Sequence, residues 1–241
     1  MLTRETITVG HRRFRVSPWH AADGVALLSL PVDQSAPTAD EVSRALEVVR
    51  SRGCSAVMTS ALNEADAAAF VALGFVEDDR LHVLEHRFGP DTPPPGRNPA
   101  PGGARLRRGR RSDRTTALEL DRRAFPEMWR LDAGGLADAM AATPSARFRI
   151  AEAGGVPVGY SVTGRGGTTG FLQRLATDPD HRRMGIGSGL VRDSLGWCAR
   201  RGCERVLVNT QVTNTAALAL YDTLGFTRLP DDLVVLSWSD T

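Results

Sequence analysis

Lysine is absent from this 241-residue chain, and all 30 basic residues are arginine. No phosphate loop of the G-x-x-x-x-G-K-[ST] type can therefore exist. Cysteine is scarce. Three of them, without metal-type spacing, point to a reducing interior rather than a disulfide scaffold, and no metal ligand set is expected. No apolar run of about 18 residues occurs, so no membrane span is expected. The first residues lack the charged-then-apolar pattern of a secretory leader, which adds to the expectation of a cytoplasmic protein. A formal net charge of +2 is too small to imply nucleic acid by itself. Arg105, Arg107, Arg108, Arg110, Arg111 and Arg114 do crowd ten residues. In a chain whose every basic residue is arginine, on an expected strand with alternate side chains in water, they read as a solvated face. No nucleic-acid partner is expected.

Glycine is present where it matters. The stretch Arg182-Arg183-Met184-Gly185-Ile186-Gly187-Ser188-Gly189 lies between an apolar strand, Gly170 to Thr177, and an amphipathic helix. In that helix Leu190, Val191, Leu195 and Cys198 recur at helical spacing. A glycine-rich turn opening a helix leaves several backbone N–H groups without intrahelical partners, aimed at one spot. The helix dipole adds positive potential there, which suits a phosphate or pyrophosphate. Glycines let the ligand approach the backbone, and Arg182 or Arg183 adds charge from the side. The spacing is not that of a Rossmann loop.

The pattern R-x-x-G-x-G after Asp178-Pro179 is followed by helix, strand (Arg205 to Thr210), then Asn214-Thr-Ala-Ala-Leu-Ala-Leu-Tyr221-Asp-Thr-Leu-Gly225-Phe226. This succession resembles the GCN5-related N-acetyltransferase (GNAT) family over roughly residues 104 to 238. The resemblance implies an α/β (α+β) fold with a mixed, mostly antiparallel sheet flanked by helices. It also implies an acetyl-CoA co-substrate and an amine acceptor. The pyrophosphate would sit on Arg182, Arg183, Met184, Gly185, Ile186, Gly187 and Ser188. The pantetheine arm would lie on Leu175, Ala176 and Thr177, in a gap where the strand Phe171 to Thr177 splays from Arg205 to Thr210. Asn214 would touch that arm or cap the next helix.

Residues 89–103 contain six prolines and four glycines and read as an extended linker. Residues 1–88 then form a front lobe, and 104–241 a catalytic domain. The two are related: Asn63, Phe70, Leu73, Gly74 and Phe75 fall 151 positions before Asn214, Tyr221, Leu224, Gly225 and Phe226, and Arg52-Gly53-Cys54 answers Arg201-Gly202-Cys203. The front lobe resembles a shortened, degenerate GNAT lobe in tandem with a full one. Where the second half has its glycine loop, the first has Asp33 to Asp40, with no glycine and with Pro37. That lobe is expected to bind no cofactor. Features common to both halves, Cys54 and Cys203 among them, are expected to be structural.

Acetyl transfer needs a neutral amine, a polarised carbonyl and a proton for the departing thiolate. A phenol suits the last task, its pKa near 10 lying above that of an ordinary thiol. Tyr221 sits where the family carries its general-acid tyrosine, and Phe70 holds the matching place in the front lobe. Family members that acetylate a ribosomal-protein alanine carry a glutamate twelve residues before the tyrosine; here that residue is Asn209. Glu127, Asp132, Glu152 or a water chain are the remaining candidate bases. Phe125, Met128, Trp129 and Arg130, after a helix ending near Arg123, are expected to line the acceptor site or to anchor their loop. Other acyl-CoA donors, a non-catalytic CoA sensor, and a monomer or homodimer remain open on the residues alone.

Overall fold

The helix over Ala39–Ser51 (α1) starts where Thr38 and Glu41 close a capping box, the threonine hydroxyl taking the Glu41 N–H and the glutamate reaching back. Such local signals place most elements of the computed structural model, which describes residues 2–19, 23–31, 34–89 and 104–240. The linker expected at 89–103 therefore lies outside the described residues beyond its first position, as does Asp33.

Two compact units divide the chain. The first comprises residues 1–83, 210–213 and 229–241. It holds a hairpin of β1 (Glu5–Val9) and β2 (Arg12–Pro18), then β3 (Val25–Ser29), α1, β4 (Ala56–Thr59), α2 (Glu64–Val71) and the first part of β5 (Val76–Arg87). Most of the last strand, β11 (Thr227–Ser239), also belongs here, pairing antiparallel with β4 through Ser237↔Met58 and Trp238↔Val57. The strand order is β1-β2-β3-β4-β11, with β3 and β4 parallel and the other pairs antiparallel. Phe14, Leu28, Val42, Val49, Phe70 and Leu236 fill its core.

The second unit comprises residues 84–209 and 214–228. It contains the end of β5, β6 (Arg105–Arg108), α3 (Arg114–Ala124), α4 (Ala133–Ala141), β7 (Ser145–Ala153), β8 (Val156–Gly166), β9 (Thr169–Thr177), α5 (Ile186–Ala199), β10 (Arg205–Gln211) and α6 (Thr215–Thr223). The order is β10-β9-β8-β7-β6, antiparallel except for β10 on β9. Ile150, Tyr160 and Val162 pack with α3 and α4, whereas Ala151 and Val158 pack with Ile186 and Leu190 of α5. Neighbouring strand residues entering different clusters put α3–α4 and α5 on opposite faces.

The repeat seen in sequence is repeated in hydrogen bonds. Asn63 caps α2 by accepting from Asp66 N–H, and Asn214 caps α6 by accepting from Ala217 N–H. The Phe70 carbonyl accepts from Phe75 N–H at 3.2 Å, and the Tyr221 carbonyl accepts from Phe226 N–H at 3.0 Å. Cys54, Cys198 and Cys203 are free and buried.

Candidate functional site

Every candidate residue lies in the second unit. Asp178 is buried; its side chain takes the Asp180 N–H at 2.9 Å and pairs with Arg123 of α3, which also reaches Asp180 at 2.7 Å. This pins the turn before the glycine loop to α3. The loop itself is bent in a way few sequences accept. Gly185 has φ 75°, and Arg183, at φ 63°, is the single non-glycine residue with positive φ among the described residues. A bulky residue held there costs on the order of 1–2 kcal/mol, and such strain concentrates at functional sites.

Left-handed Gly185 followed by the right-handed helix from Ile186 is the backbone pairing that turns successive N–H groups toward one side. The helix is capped by Gly185, which has no side chain to satisfy its first donors. The matching helix of the first unit makes the contrast. There Thr38 and Glu41 fill the N-terminus of α1, and the Glu41 carboxylate also receives Arg12 Nε at 2.9 Å. The Glu41 carboxylate accepts the Thr38 N–H as well, and those bonds hold the Glu41 carboxyl below its usual range.

The glycine loop stands beside the end of β9. A Cβ on Gly187 would lie 3.3 Å from Leu220 of α6 and 3.6 Å from the Thr177 hydroxyl. Leu175, Ala176 and Thr177 pair with Ser161, Tyr160 and Gly159 of β8. On its other edge β9 pairs with β10 only at Thr169↔Arg205, Gly170↔Val206 and Phe171↔Leu207 among the described residues. From Leu172 onward no pairing to β10 continues among the described residues. Met184 is exposed, and Arg182 and Arg183 are exposed too.

Tyr221 is buried to 4% exposure, its ring 5.3 Å from that of Phe226. No protein group among the described residues hydrogen-bonds its hydroxyl, yet the oxygen is not among the fully enclosed unpartnered atoms. Burial pushes the phenol above its ordinary value, so it keeps its proton through neutral pH. Of the carboxylates, Asp132 caps α4 on Gly135 N–H, and Glu152 pairs with Arg107 at 2.6 Å. Glu127 is exposed in a short 3-10 turn, and Asn209 is exposed on β10. Arg107 also grips Asp113, whose carboxyl it holds down to about 2. Within the basic stretch that arginine is thus paired with acids.

Phe125, Met128, Trp129 and Arg130 are half-buried in the α3–α4 connection. The connection is tied down by residues that the sequence patterns did not single out. Asp121, fully buried on α3, accepts from Leu131 N–H at 2.7 Å, from the Tyr160 phenol, and from both arms of Arg174 on β9. Nothing local marks that pair: the two residues stand 53 positions apart. Among the described residues no group of three His, Cys, Asp or Glu side chains could hold a metal, and no helix is long and apolar enough to cross a membrane.

Known proteins resemble this chain in sequence and in fold. Residues 114–226 match the model of the acetyltransferase (GNAT) family. A mycothiol acetyltransferase of Thermobispora bispora is 32% identical over 206 residues, spanning 79% of this chain and 69% of that protein. Among solved structures, a GCN5-related N-acetyltransferase from Kribbella flavida superposes with a TM-score of 0.66 at 16% identity, over 99% of this chain and 91% of that one. A tandem GNAT protein from the clavulanic acid biosynthesis pathway gives 0.67 at 16% identity, over 97% and 81%. At these identities the structures speak to fold alone.

Proposed function

The chain belongs to the acetyltransferase (GNAT) family and is an N-acetyltransferase, and on that footing we propose how its own residues divide the work. The family uses acetyl-CoA as co-substrate. The nest from Arg183 to Ser188 holds the pyrophosphate through backbone N–H groups, with Arg182 and Arg183 adding charge. The open edge of β9 at Leu175, Ala176 and Thr177 takes the pantetheine amides as an edge strand takes a peptide. Asn214 caps α6 and borders that arm. The observation that carries this reading is the pair of positive-φ residues at an N-terminus without a side-chain cap, beside Thr177.

Direct transfer follows from that arrangement. The thioester lies along β9 and the acceptor enters past Phe125, Met128 and Trp129, with Arg130 available for an acidic group on the acceptor. The neutral amine attacks the acyl carbon, the nitrogen of the tetrahedral intermediate gives its extra proton to Glu127 or through water to solvent, and the C–S bond breaks. Tyr221, kept protonated by burial, donates to the departing thiolate. Glu127 is the carboxylate of the acceptor segment not engaged as a cap or an ion pair among the described residues.

CoA release by the purified protein, measured with a polyamine, an aminoglycoside, a free amino acid and a peptide with a free N-terminus, tests the reading. At least one amine is expected to stimulate release, and Tyr221→Phe is expected to lower that turnover on the order of 10²-fold while acetyl-CoA still binds. Unchanged turnover in Tyr221→Phe, with chemistry limiting the rate, would make the phenol a packing group.

A further inference from the structure

Arg174 of β9 fastens the α3–α4 connection. Arg174 donates from Nε to Asp121 Oδ2 at 2.7 Å and from Nη2 to Asp121 Oδ1 at 2.8 Å. The same Nη2 donates to the Trp129 carbonyl, and the guanidinium carbon stands 3.6 Å from the centre of the Phe125 ring. Asp121 in turn takes the Leu131 N–H. Positions 125, 129 and 131 are thus held from a single point, by a planar fork and a cation over an aromatic face.

A β-bulge aims that point. The register passes from Val162↔Arg174 to Thr163↔Leu172, which leaves Gln173 as an extra residue in β9. Before it, Leu172 packs with Val191 and Leu195 of α5; after it, Arg174 and Ala176 turn to the α3–α4 side. An extra residue reverses the alternation and redirects a side chain. A desolvated ion pair adds little stability that apolar packing could not supply. What it adds here is direction: a fixed placement of Phe125 and Trp129 relative to β9.

We propose that Arg174 is the positioning residue of the acceptor site. It sets the distance between the wall formed by Phe125, Met128 and Trp129 and the strand whose next three residues carry the thioester arm. This rests on the reading of that segment as the acceptor wall. Arg174→Ala and Arg174→Lys are the direct variants. The charge-free pair Asp121→Asn with Arg174→Met leaves no uncompensated buried carboxylate, and so covers the case in which the single variants do not fold.

Each protein is assayed with the four amines above, together with acetyl-CoA binding by calorimetry and thermal melting. The acceptor KM should rise about tenfold or more, acetyl-CoA Kd should stay within about threefold, and kcat should fall less than KM rises. Lysine should not restore the wild-type KM, since an ammonium cannot make the two-armed contact. A well-folded double variant with unchanged acceptor KM overturns the inference, as does an equal weakening of acetyl-CoA binding. A wild-type protein that acetylates none of the four amines fails before any variant is compared; that result removes the functional reading and this inference with it.

Discussion

At position 221 a phenyl ring would pack as well as a phenol, as Phe70, with no exposed surface in the matching helix, shows. The hydroxyl therefore has to be explained by chemistry, and its environment gives a testable signature. Burial raises the phenol above its ordinary 10.0. A donor must be protonated, so its loss can begin only above that value. The pH profile of kcat is accordingly expected to show no falling limb below about pH 10 that Tyr221→Phe removes. An alkaline limb near pH 8 that disappears in this variant would show a phenol far more acidic than its burial allows. Tyr221 was singled out in sequence by the Asn214-to-Phe226 run that resembles the family, with Phe70 as its counterpart in the repeat. Asp121 and Arg174 were not, because a buried ion pair across 53 positions leaves no spacing to read.

Elements carry the next two predictions. Asn63 and Asn214 make the same cap in the two halves, so alanine at either should cost about 1 kcal/mol in thermal or denaturant unfolding. Only Asn214→Ala should also weaken acetyl-CoA binding, by a few-fold; equal Kd values for both variants would leave Asn214 a cap and nothing more. The glycine loop is the second case. A Cβ on Gly187 already crowds Leu220 at 3.3 Å and touches the Thr177 hydroxyl at 3.6 Å, so the ring of Gly187→Trp has to turn toward the loop proposed to hold the pyrophosphate. Calorimetry is expected to find one acetyl-CoA site per chain in wild type and none in Gly187→Trp. Two equivalent sites would restore a cofactor role to the first unit. Helix α5 was readable from the spacing of Leu190, Val191, Leu195 and Cys198 after the glycine-rich turn. The bulge at Gln173 was not, because it is a property of pairing with β8 and not of the strand's own residues.

For the whole molecule, the compact units do not coincide with consecutive halves of the chain. Leu84, Glu85 and His86, all buried, belong to the second unit although they precede the linker, and residues 229–241 belong to the first. Leu84 joins the cluster of Val191, Val206 and Tyr221, and Glu85 pairs with Arg205 at 3.1 Å. A fragment of residues 104–241 would lack those contacts and leave β11 without its neighbour β4, and Leu236 and Trp238 without the first unit's core. It is expected to be insoluble or to melt well below the full chain, and its acetyl-CoA binding should fall accordingly. A soluble fragment with the melting temperature and activity of the full chain would show that the catalytic half needs neither set of residues.

The sequence by itself determined the local events: the glycine-rich turn that opens α5, the start of α6 at Asn214, and the matching run from Asn63 to Phe75. These follow from neighbours a few residues apart, where propensity, capping and spacing act. Only the tertiary structure decided that β11 completes the first unit's sheet, that β9 opens away from β10 after Phe171, and that Arg174 meets Asp121 beneath Trp129. Those outcomes depend on which strand finds which partner and on a single inserted residue that turns a side chain to the other face, choices settled by packing across long separations.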